Sequence, residues 1–80
     1  MSLPSQFKKF DVRPALRRGV EPYPEIRKRA NALKPGEGLA IIAPFLPAPL
    51  IEKLGSEGFK SKVERAGGGS WVAYFWRETD

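Results

Sequence analysis

The 80-residue chain contains no cysteine and no histidine. The first absence removes disulfides, thiolate nucleophiles and cysteine-based zinc sites. The second removes imidazole, the commonest general base. No apolar run approaches the roughly 20 residues that span a bilayer. The opening "MSLPSQFKKF" lacks the apolar core of a secretory signal. Cytoplasmic residence is therefore the default expectation, with no membrane partner, no metal and no other cofactor. Without covalent or metal staples, packing alone must stabilise the chain.

What is present suffices for a core. Hydrophobic residues make up 41% of the chain, including Trp71, Trp76 and phenylalanines at 7, 10, 45, 59 and 75. That content is globular and far from the disordered range. The length allows one domain, residues 1–80, with residues 1–6 read as a loose polar lead-in. A domain this small buries only roughly 60% of the surface its unfolded chain exposes, so modest stability follows.

The formal charge is +5, and its distribution is more informative than its size. Residues 1–40 carry nine Lys/Arg against four acids, whereas residues 41–80 carry five of each. Two readings stand for the cluster Arg17, Arg18, Arg27, Lys28 and Arg29. One is a patch for an anion, whether nucleic acid, phosphate or an acidic protein; the other is a solvated face that keeps the protein soluble.

Along the chain, "FKKFDVRP" alternates, with Phe10 and Val12 on one side and Lys9, Asp11 and Arg13 on the other. This predicts a half-buried strand stopped by Pro14. "ALRRGVEPYP" reads as a loop turning at Gly19. From Pro24, Ile26, Ala30 and Leu33 form one apolar stripe at helical spacing, and "KPGEG" ends that helix. "LAIIA" at 39–43 is continuously apolar and predicts a central strand. In "PFLPAPLIEKLGSEGF" a second helix starts at Pro47 or Pro49, with Phe45, Leu46 and Leu50 expected to pack it onto the sheet. "FKSKVERA" and "WVAYFWR" form a final hairpin joined by "GGGS", which lacks the context of a phosphate-binding loop.

The predicted order is β-α-β-α-β-β. It corresponds to a two-layer α/β (α+β) sandwich, a mixed four-stranded sheet with two helices on one face. One sheet face then has no helices, yet the last strand is apolar on both sides. Trp71, Ala73 and Phe75 form one row; Val72, Tyr74 and Trp76 form the other. The uncovered row is explained either by local cross-strand packing or by an interface, a homodimer being the commonest kind. Val72, Tyr74 and Trp76 are the interface candidates.

Several short motifs combine over residues 8–76: Asp-x-Arg at Asp11 and Arg13; Gly19, Pro22 and Pro24; "LKPGE" at 33–37; "PFLPAPL" at 44–50; and Gly58-Phe59. In this order they resemble the SirA/TusA-like proteins, and more closely their cysteine-lacking branch, domain-of-unknown-function family 2249. The resemblance implies the same sandwich. Sulfur-carrying members have Cys-Pro-x-Pro at the entrance to the first helix, where the helix N-terminus lowers a thiol pKa. Here that stretch is Glu21-Pro22-Tyr23-Pro24, one residue closer to Gly19, with Glu21 in the cysteine's place. A carboxylate cannot form a persulfide, so sulfur relay is closed to this chain.

The expectation is a non-catalytic binding or interaction module with no catalytic residue. Its ligand or partner site is drawn from Asp11, Arg13, Glu21, Pro22, Tyr23 and Pro24. For the four residues 21–24 the plainer reading is a helix start, and for Asp11 and Arg13 a mutual ion pair. The resemblance implies a protein partner, redox-related or hemerythrin-like, because related domains occur joined to hemerythrin-like ones. The alternative is RNA or DNA binding through the basic first half, although no aromatic stacking signature accompanies those cations.

Overall fold

The computed structural model describes residues 4–77. Its elements are β1 (Gln6–Asp11), α1 (Arg13–Arg17), α2 (Tyr23–Asn31), β2 (Glu37–Ala43), α3 (Ala48–Gly55), β3 (Phe59–Arg65) and β4 (Trp71–Arg77). The strands form one mixed sheet in the order β1-β2-β4-β3. β1 and β2 run parallel, and β4 is antiparallel to both of its neighbours. No helix among the described residues is long and apolar enough to cross a membrane.

The apolar run at 39–43 explains the sheet order. Leu39, Ala40, Ile41 and Ala43 are all almost fully buried, so β2 needs a strand on each side and cover on each face. Leu39, Ile41 and Ala43 join Ala73 and Phe75 of β4 in the main core, against Ile26 and Ala30 of α2 and Leu54 of α3. Trp71, Ala73 and Phe75 are therefore the row beneath the helices.

The other face is partly covered from within the chain. Gly38, Ala40 and Ile42 alternate with the core row of β2, and register places Ala40 beside Tyr74 and Ile42 beside Val72. Phe7 of β1 lies across this row. Its ring meets Tyr74 edge-on at 5.0 Å and Trp76 at 6.2 Å. Such aromatic pairs add about 0.5–1.5 kcal/mol beyond area burial. Phe7 can cross β2 only because residue 38 is glycine: a Cβ there would run into the Phe7 ring and stand 3.0 Å from the Phe75 carbonyl oxygen. Trp76 is consequently only 7% exposed.

Four expectations change. Arg13 does not continue the strand, because Val12 turns the chain and Pro14 lies in the first turn of α1. Proline thus opens a helix here as well as stopping a ladder. The stretch expected as a loop contains that helix, which gives three α-helices rather than two. The lead-in shortens too: Ser5 N–H donates to the Gly36 carbonyl at 3.1 Å and β1 begins at Gln6, while residues 1–3 lie outside the described residues. Finally, Phe45 and Leu46 do not pack the core but are 52% and 42% exposed, since the Pro44–Pro47 turn holds them away from the sheet. In β3 only Phe59 is buried, as befits an edge strand rich in charge.

Gly38→Ala should destabilise the fold by about 1–3 kcal/mol, because the new methyl displaces the Phe7 ring. In a denaturation double-mutant cycle with Phe7→Leu, most of that cost should disappear. Additive losses would show that Phe7 and Gly38 do not act together.

Candidate functional site

Two helix starts lie at the same end of the parallel pair. Asp11 ends β1, and its carboxylate accepts the Arg13 backbone N–H at 3.0 Å, fixing the corner into α1. Leu16 N–H closes the first turn on the Val12 carbonyl at 3.0 Å. At the far end, Gly19 takes a φ of +74°. Val20 N–H then bonds the Ala15 carbonyl and Gly19 N–H the Leu16 carbonyl, the paired bonds of a Schellman stop. The chain emerges at Glu21, whose Oε1 accepts the Tyr23 N–H at 2.9 Å. Pro22 supplies the carbonyl for Ile26 N–H at 3.0 Å, and Pro24 occupies the first turn of α2. The Glu-Pro-Tyr-Pro stretch is thus a helix start in which a side-chain carboxylate serves one of the free N–H groups.

Between this start and that of α3 lies a cleft of about 450 Å³. Val12, Ile26, Ile41 and Ala43 reach it from the core, Leu16 from α1, Leu50 from α3, and Phe45 and Pro47 from the loop before α3. Of its lining residues, Glu21, Tyr23 and Lys53 carry polar side-chain groups, and they are neighbours. Lys53 Nζ stands 5.9 Å from the centre of the Tyr23 ring, and Glu21 binds the Tyr23 backbone. The Tyr23 hydroxyl is buried without a hydrogen-bond partner.

The residues singled out from the sequence therefore separate. Glu21, Pro22 and Tyr23 line the cleft; Pro24 stands exposed in the helix; Asp11 and Arg13 line another corner. Arg13 Nε and Nη2 hold the Asp11 carboxylate at 2.9 and 2.7 Å, and Nη1 donates to Ser70 Oγ at 3.2 Å. Ser70 is buried just before β4, so this pair ties the β1–α1 corner to the hairpin. The Arg13 side chain holds the Asp11 carboxyl below its usual range, with burial opposing the shift. Leu16, Phe45 and Lys53 were missed. Val12 and Leu16, four residues apart, carry a helical signal hidden by Pro14 between them.

The basic cluster is partly neutralised within the chain. Arg27 pairs with Glu57. Arg29 binds Glu25 at 2.9 Å and lies over the Phe10 ring at 4.1 Å. Arg17, Arg18 and Lys28 remain exposed, with no ion pair among the described residues. On the helix-free face, Val72 and Tyr74 are half-buried and Trp76 is covered. Tyr74 Oη donates to Glu64 at 3.0 Å, a bond that raises the phenol pKa.

Because the folded Asp11 carboxyl titrates below its unfolded value, its contribution is present above about pH 4 and is lost as pH falls through the folded pKa. Asp11→Asn should therefore lower the melting temperature at pH 7, and its gap to wild type should narrow as the pH falls below the ordinary carboxylate range. A gap independent of pH would show that the charge on Asp11 is not what stabilises the corner.

No curated protein and no solved structure matches this chain. A family does: residues 9–77 match the family described as Uncharacterized conserved protein (DUF2249), and with nearly the whole chain covered, the protein belongs to that family.

Proposed function

We propose that this protein is a non-catalytic binding module on a sulfur-carrier-like scaffold, with the cleft between the starts of α2 and α3 as its site. The observation that supports this reading is the cleft itself. It cuts down to the buried side chains Ile26, Ile41 and Ala43, and its volume falls in the roughly 300–1,000 Å³ range of small-molecule sites. Phe45 stands half-exposed beside it, the kind of side chain that an occupant covers.

On the resemblance to sulfur carriers, Glu21 stands where the persulfide-bearing cysteine would be. Its carboxylate serves the Tyr23 N–H, so the role left at this position is to shape and charge a mouth rather than to carry sulfur. The nucleic-acid alternative has less to support it, since two of its five cations, Arg27 and Arg29, are engaged by Glu57 and Glu25.

A screen of small apolar and aromatic fragments by chemical-shift perturbation tests this directly. Shifts should cluster on Val12, Leu16, Tyr23, Ile26, Ala43 and Leu50. Clustering on Val72 and Tyr74 instead, or no shifts at millimolar fragment, would contradict the proposed site.

A further inference from the structure

The cleft has a polar corner with an imbalance in it. Lys53 Nζ has no carboxylate partner among the described residues and hovers near the Tyr23 ring. The Tyr23 hydroxyl is a buried group with no partner, a state that native structures rarely leave unrelieved. Both groups offer protons. Glu21, the acid lining the cleft, already accepts the Tyr23 N–H through Oε1. The corner is therefore richer in donors than in free acceptors, and the rest of the lining is hydrocarbon: valine, leucine, isoleucine, alanine, phenylalanine and proline.

Ligand polarity mirrors site polarity, because a buried polar group without a partner is costly while apolar surface gains by contact. We infer that the cleft takes a small amphipathic anion, with its apolar body over Ile26, Ile41, Ala43 and Leu50 and a single carboxylate-like head at the Lys53–Tyr23 corner. This rests on the cleft being the binding site, and it adds the chemical class of the occupant. Lys53 sets the position of the head, and the neighbouring Glu21 carboxylate, which repels it, opposes binding. Medium-chain and aromatic carboxylates are the simplest members of the class. A protein segment would need a broader surface than this cleft, whose floor is lined by the core side chains Val12, Ile26, Ile41 and Ala43.

Octanoate and octanol share the body and differ in the head, so their binding separates the two claims. By calorimetry, wild type should bind octanoate more tightly than octanol. Lys53→Gln should weaken octanoate by roughly three- to tenfold and leave octanol unchanged. Tyr23→Phe should act in the same direction, and Glu21→Gln should tighten octanoate. Leu16→Trp, or Pro49→Trp should the first variant not fold, fills the cleft and should abolish binding of both. Equal affinity for the two ligands with no effect of Lys53→Gln would overturn the anionic head while leaving the site standing. Octanoate binding that survives both tryptophan variants, or no binding of either ligand to wild type, would overturn the site as well.

Discussion

Strand β2 is the constraint on which the rest depends. Its apolar run is buried on both faces and hydrogen-bonded along both edges. Eighty residues supply helices for one face only, so the second must be covered by side chains from within the sheet. Phe7, lying across Gly38 onto Tyr74 and Trp76, covers part of it. This is why the last strand is apolar on both sides: one row packs under the helices, and the other packs beside an aromatic neighbour reaching over from β1.

The same strand places the cleft. Because β1 and β2 run parallel, the segments leaving them start from the same end of the sheet, where ligand sites commonly form in α/β architectures. Both of the longer helices begin with prolines in their first turns, and the chain approaches each through a proline-shaped bend. These bends hold the helix starts apart, and core side chains that would otherwise be sealed line an opening. Charge follows a similar economy. Arg29 lies over Phe10, Arg65 over Trp71 and Arg77 over Phe59. Three of the fourteen cations thus cover aromatic faces of a small core.

The architecture was largely legible in the sequence because each signal was periodic. Ile26 and Ala30 lie on one helical face, "LAIIA" reads as a strand covered on both faces, and the Gly-Gly-Gly-Ser connection marks the hairpin. The β1–α1 corner was not legible. Arg13 continues the alternation of the strand, yet Asp11 captures its backbone N–H and its guanidinium, a local bond that outweighs the pattern. Phe45 and Leu46 misled for the opposite reason. Their hydrophobicity suggests burial, but proline geometry on either side decides where they point. Of the candidate site, Glu21, Pro22 and Tyr23 were identified from motif position. Lys53 was not, since only the fold brings α3 beside the start of α2.

The space between those two helix starts is the proposed place of the ligand. Intermolecular nuclear Overhauser effects between octanoate and the isotope-labelled protein would locate it. The terminal methyl of the ligand should contact the methyl groups of Ile26, Ile41 and Leu50. Contacts instead to Ile42 and Val72, on the helix-free face, would contradict it.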